Sequence, residues 1–195
     1  MIDPAIVDAG PALNFFSINK ERLLFDAIGG KIAIPETVAG EIADKARRDD
    51  RFQAAADVLA KLSKTDWLRV LSDEVTPGLA AAVLRITAVP MAARMTHRKD
   101  LGEIMVLAHA AIQADAGRDV VVLIDDQAGA RLAATEAARL LRLRGQGRSV
   151  GALSLMSTLD VLERGAGRRY LPDRVAMRRI YAQLRQRDDG LVDIK

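Results

Sequence analysis

The stretch that most limits what this chain can become is Asp119–Gly129, DVVVLIDDQAG. Val120 to Leu123 run into Ile124 without a polar break, and such a β-branched run bounded by polar residues reads as a buried, central strand of a parallel sheet. The run ends directly in two carboxylates, Asp125 and Asp126, neither of which can pack into a core. In open α/β sheets the ligand crevice lies off the carboxyl ends of the strands. Two acids delivered there must face water, a cation or a basic substrate.

The start of the chain repeats the pattern. Ala5–Val7 is a short apolar run ending in Asp8-Ala9-Gly10-Pro11, a strand that carries an acid into a turn, with Pro11 placed to begin a helix. Asn19 is placed to cap a helix over Lys20–Ile28, which Gly29-Gly30 ends. Lys31–Ile34 predicts a second strand, and Pro35 opens a helix over Glu36–Arg48 that carries Glu41. A helix over Arg51–Leu62 and a third strand at Trp67–Leu71 follow. Asp100 opens a helix reaching Asp115, and Asp100 with Glu103 fits a capping box. Beyond the central strand, Gln127–Leu143 reads as a helix and Ser149–Gly151 as a short edge strand. Ala152–Glu163 reads as a buried helix, and Pro172 to Arg187 as a last, basic one. Strands alternating with helices predict a three-layer α/β/α fold around a mainly parallel sheet. One domain over residues 1–187 suits the 195-residue length. Residues 72–99 are a possible insertion, a lid or a partner-binding loop, and 188–195 are expected to form a loose tail.

Charge enters through its distribution. The net charge is +3, yet Arg131 to Arg187 holds thirteen arginines and no lysine against Glu136, Asp160, Glu163 and Asp173. Basic surface beside an acidic pocket suits a nuclease, in which arginines hold phosphates and acids hold metal. Arg131 and Arg148 are the candidates for substrate phosphates. The chain has no cysteine, which excludes disulfides, thiolate zinc sites and thiol nucleophiles and is compatible with a cytoplasmic protein. No apolar run approaches the ~20 residues that span a bilayer. The first residues, MIDPAIVDAG, carry acids where a signal peptide carries basic residues, so the mature protein is expected to start near Met1. His97 lies in a basic loop and His109 on a helix, which argues against a histidine metal site or base.

The acids gain meaning together. Asp8 and the pair Asp125 and Asp126 sit at strand ends, and helices starting from the same edge bring Glu41 and Glu103 toward them. Two carboxylates ~4 Å apart at an effective dielectric of ~20 repel by roughly 4 kcal/mol. Several such groups stay ionised only beside a cation; otherwise some take up protons. Oxygen-only ligation favours Mg2+ or Mn2+. A water on such an ion is a nucleophile for a phosphodiester.

Four stretches, VDAGPALNFF, IAIPETVAGEI, DLGEIMVLAHA and VVLIDDQAGARLA, occur in the order seen in PIN-domain proteins, and the later RSVGALSLMSTLDVLERG resembles the closing segment of one branch. The likeness covers about two thirds of the chain, with Ala43–Lys99 poorly matched. It implies a metal-dependent ribonuclease, many relatives being VapC-type toxins restrained by a cognate antitoxin, with homodimers common. It makes Asp8 the first-strand metal ligand, Glu41 the helix acid, Glu103 the third acid and Asp125 the fourth, with Asp126 in support; Asp100 competes with Glu103 for the third place. Gly10 stands where many relatives carry Ser or Thr, and Met105 where this branch often carries a second Glu.

Other readings fit less well. A receiver domain carries its acid pair on the first strand, a haloacid-dehalogenase phosphatase needs D-x-D there, and neither a dinucleotide loop nor a P-loop is present. The rival from another class is a PIN-like module that binds RNA or protein without cutting. The apolar helices near the N-terminus are the expected source of a homodimer interface.

Overall fold

The structure, a computed structural model, describes residues 3–188, 190 and 191. Five strands form one sheet: β1 (Ala5–Val7), β2 (Ile32–Pro35), β3 (Leu68–Leu71), β4 (Val120–Leu123) and β5 (Leu153–Met156). Their order is β3-β2-β1-β4-β5, and every neighbouring pair is parallel. The chain winds outward from β1 to β3 and then crosses to β4 on the other side of β1, so the winding reverses between β1 and β4. That is where α/β sheets place their crevice. Ile6 pairs with Val122 and Val7 with Leu123, and the Asp8 amide donates to the Leu123 carbonyl at 3.0 Å. Register alone therefore brings the ends of the two acid-bearing strands side by side.

Helices α1 (Ala9–Phe16) and α2 (Glu21–Ile28) connect β1 to β2. Helix α3 (Glu36–Arg48), a 3-10 turn at Asp50–Phe52 and α4 (Gln53–Leu62) lead to β3. Helices α5 (Pro77–Thr87), α6 (Met91–Arg94) and α7 (Leu101–Asp115) lead to β4, and α8 (Gln127–Gly145) joins β4 to β5. The chain closes with α9 (Thr158–Gly165) and α10 (Arg174–Arg185). Helix α7 lies across β1, β2, β4 and β5 with α8 beside it, while α1 packs on α2 and α4, and α2 on α9. Right-handed crossovers put these two sets on opposite faces, giving the three-layer α/β/α fold.

The small residues of α7 explain its place. Ala108, Ala110, Ala111 and Ala114 are all fully buried, letting the helix be covered by the sheet on one side and by α5 on the other. The core between the layers is built from Ile6, Phe15, Phe16, Ile32, Ile34 and Leu107 among others. A second apolar cluster gathers Leu79, Val83 and Met91 from α5 and α6 against Leu101, Ile104 and Met105 of α7. Residues 72–99 are thus a packed helical elaboration with its own core. Among the described residues no helix is long and apolar enough to cross a membrane.

Several local expectations are corrected. Residues 152–163 do not form one helix: Leu153–Met156 pairs with β4 residue by residue, and Ser157 then caps α9 in a reciprocal box with Asp160. No strand forms at 149–151; the Gly151 amide bonds to the Ala114 carbonyl, and a Cβ there would lie 1.9 Å from the Arg118 carbonyl oxygen. Asn19 is not a cap: it takes a left-handed φ of 54°, which Asn tolerates, as the chain turns out of α1. Pro35 closes β2, and α10 starts at Arg174 under a cap from Asp173, whose Oδ1 accepts from the Ala176 amide at 2.7 Å. Of the expected loose tail, Asp188 is tied by hydrogen bonds and Leu191 is buried, while 189 and 192–195 lie outside the described residues. Phe15, Phe16, Leu23 and Leu24, the apolar residues of the N-terminal helices, are buried within this chain's own core, so a homodimer would need another surface.

Candidate active site

Asp8 is the last residue before α1, with only 5 % of its surface exposed and no capping bond from its side chain. Its Oδ1 is buried and has no hydrogen-bond partner. Burial pushes its carboxyl up to about 8, helped by the negative charges of Glu103 and then Glu41, against the opposing pull of the Ala9 and Gly10 amides.

Glu41 comes from α3 and rests on the first turn of α7. A Cβ on Gly102 would stand 2.5 Å from Glu41 Oε2, so only glycine leaves that carboxylate its present seat. Burial first, then the charges of Glu103 and Asp44, raises Glu41 to about 7. Glu103, one residue beyond Gly102, is also raised, first by burial and then by Asp100 and Asp126, with Arg94 opposing. Asp8, Glu41 and Glu103 are therefore one electrostatic unit, and Glu103 acts on both of the others.

Asp100 and Asp126 do other work. Asp100 sits at the cleft rim in a left-handed conformation, and its side chain makes no capping bond, so the expected capping box does not form. Glu103 is thus the member of that pair turned to the acids. Asp126 caps α8, its Oδ2 accepting from the Gly129 amide at 2.8 Å.

Asp125 follows β4 and is held by partners that the sequence did not disclose. Its Oδ1 accepts from the Thr158 amide at 2.7 Å and its Oδ2 from the Thr158 hydroxyl at 2.6 Å. Asn14, on α1 and fully buried, donates from Nδ2 to Asp125 Oδ2 at 3.3 Å and to Asp188 Oδ2 at 2.9 Å. Burial, then the nearby Asp188 charge, raises Asp125, while Thr158 and Asn14 hold it down. Asp188 is thereby a further acid at this corner. Gly10 lies next to Asp125: a Cβ there would be 4.0 Å from Asp125 Oδ2, with room for the Ser or Thr of the resembled family.

Among the described residues no three His, Asp or Glu side chains, Asp8, Glu41 and Glu103 included, are grouped closely enough to hold an ion as they stand. Glu41 and Glu103 line a cleft of about 650 Å³ between α3 and the start of α7, with Lys45, Arg48 and Arg98 on its walls. Arg98 lies 3.4 Å from Asp44, and Met95 also lines the cleft, so residues 72–99 supply part of one wall. Arg131 is exposed on α8, one turn beyond Asp126 and Gln127. Arg148 is not brought to the acids: it follows the 19-residue α8, which spans about 28 Å and carries the chain to the opposite edge of the sheet.

Met105, which stands where the resembled branch often has an acid, is fully buried in the second cluster. Two residues along a helix is a turn of about 200°, so it faces away from Glu103. His109, set aside as a ligand, donates from Nε2 to buried Asp73 at 2.8 Å, and Asp73 also accepts from the Thr37 amide and hydroxyl. This network joins α7 to the start of α3 and meets the acid cleft through Thr37 on its wall. No protein-family model matches the chain, and no curated protein or solved structure matches it either.

Proposed function

We propose that the chain is a metal-dependent endoribonuclease that hydrolyses RNA phosphodiester bonds at Asp8, Glu41, Glu103 and Asp125, with Mg2+ or Mn2+ as the ion. The observation that carries this reading is the partnerless, buried Oδ1 of Asp8, a carboxyl repelled by both Glu103 and Glu41. Burying such groups together is unfavourable unless a cation compensates. The donor set is oxygen throughout, which fits a hard divalent ion. Asp8, Glu41 and Glu103 would hold it, with Asp125 alongside, once their side chains turn closer together than they now stand. When bound, such an ion lowers the pKa of a coordinated water and stabilises charge on a phosphate. Thr158 and Asn14 fix the orientation of Asp125, Gly102 leaves space for Glu41, and Arg48 and Arg98, which line the cleft, would receive RNA phosphates. The role of toxin in a toxin–antitoxin pair, held by a cognate antitoxin, follows from the sequence resemblance; a partner filling the cleft would meet Met95 and Arg98.

The test is incubation of the purified chain with a mixed RNA pool, with Mn2+ or with EDTA, beside Asp8→Asn. Products that need Mn2+ and vanish in the variant support the nuclease; metal-independent binding without products establishes the binding module instead. Gly102→Ala gives a second check that removes no acid from the chain. Its methyl must displace the end of the flexible Glu41 side chain, so stability should change little. A carboxylate moved by about 1 Å is expected to slow cleavage by roughly 10²-fold, read from single-turnover rates.

A further inference from the structure

A second open groove, of about 640 Å³, lies far from the acids at the amino edge of the sheet, between the ends of α2 and α4 and the loop joining α9 to α10. Trp67 stacks on Phe25 with ring centroids 5.1 Å apart and planes 28° from parallel, and it remains 49 % exposed. Tyr170 also lines the groove, with the Arg169 guanidinium 5.3 Å from its ring centroid. Arg22, Lys61 and Arg169 stand in it beside Glu21 and Asp26, and among the described residues none of these three cations is in an ion pair. An open aromatic face beside unpaired cations matches an unstacked nucleobase and its phosphates.

The basic surface continues from there. Helix α10 begins four residues after Tyr170 and exposes Arg174, Arg178 and Arg179, none of them ion-paired among the described residues. Arg174 and Arg178 are four apart and so lie in one row. The 12-residue helix runs about 18 Å toward the acid edge. Just past its end Arg187 donates to the Ser17 and Arg51 carbonyls, and Asp188 meets Asn14 beside Asp125. A row of cations thus links the aromatic groove to the corner of the acidic site.

We propose that the groove binds a base of single-stranded RNA against Trp67 and that the α10 arginines hold its phosphates on the way to the acids. The choice of RNA as the polymer rests on the nuclease reading. Trp67 is the one tryptophan of the chain, so its emission reports on the groove alone. In EDTA, titrating the full chain with a short fluorescein-labelled single-stranded RNA should quench Trp67 emission with the midpoint given by anisotropy of the label. Trp67→Ala should weaken binding roughly tenfold, while Trp67→Phe, which keeps an aromatic face, retains most of it. Replacing Arg174, Arg178 and Arg179 by Ala should reduce the slope of log affinity against log salt by about 2. RNA that binds without quenching, a Trp67→Ala chain of unchanged affinity, or duplex RNA that binds and quenches as well as the single strand overturns the proposal. A groove serving a protein partner leaves emission unchanged by RNA and also overturns it. Cleavage without quenching sinks the groove and leaves the nuclease standing; quenching with no cleavage in Mn2+ does the reverse.

Discussion

Asp8→Asn is expected to cut no RNA and yet to resist urea better than the parent chain at pH 8. The two effects come from one cause. The Asp8 carboxyl rises from an ordinary 3.8 to about 8 in the fold, so between these values the folded state holds a proton that the unfolded chain releases. Its contribution to stability is therefore complete below about pH 4 and is lost as pH rises toward 8, on the order of 5 kcal/mol in all. Glu41, raised from 4.5 to about 7, works in the same direction over a narrower window and more weakly, being open to the cleft. Asparagine keeps the shape of protonated aspartate and cannot ionise, so the variant should match the parent at pH 4 and exceed it increasingly up to pH 8. Urea midpoints at these two values measure the difference. Mn2+ at pH 8 should restore stability to the parent and have little effect on the variant, because only the parent offers it the Asp8 charge. Loss of that ligand is expected to lower cleavage by roughly 10³-fold or more. A variant less stable than the parent at pH 8, with the same response to Mn2+, would show that the buried acids are not held in strain for a cation.

The parts of this arrangement that were legible in the sequence are those in which local pattern and global position coincide. VVVLI running into Asp125 and AIV running into Asp8 read as strands ending in acids, and parallel pairing of β1 with β4 then leaves those ends side by side. Where two local roles compete for one residue type, the sequence does not choose. Asp100 and Glu103 are three apart and Asp125 and Asp126 adjacent, yet one of each pair faces the acids while the other sits at a rim or caps a helix. β5 was hidden because LSLM has two buried and two exposed residues and runs into α9 with no Gly or Pro between them. Missing that strand also hid Thr158, which reaches Asp125 only because β5 lies beside β4. A signal for Asn14 existed: an amide among apolar residues of a short helix, six residues after Asp8. The arginine count cannot separate the two edges of the sheet, so it offers Arg148 for substrate phosphates on the same footing as Arg131.

The second core makes its own demand on the chain, and Met105→Glu exposes it. By sequence alone this change restores an acid that the resembled branch often carries, and a gain in metal affinity would be the naive expectation. The fold points the other way. Met105 is fully buried among Leu79, Val83, Met91, Leu101 and Ile104, on the side of α7 opposite Glu103. A carboxylate there has no ion-pair partner and faces the helices of residues 77–94. The expected loss is about 4 kcal/mol at neutral pH, smaller in acid where the new group is protonated, and is read from the shift in urea midpoint. Mn2+-dependent cleavage at a temperature where the variant stays folded should be no faster than in the parent. Position 105 is then an anchor of the α5–α6 elaboration, whose following residues Met95 and Arg98 reach the cleft. Unchanged stability together with tighter Mn2+ binding would place residue 105 in the acid site and detach the helical elaboration from α7.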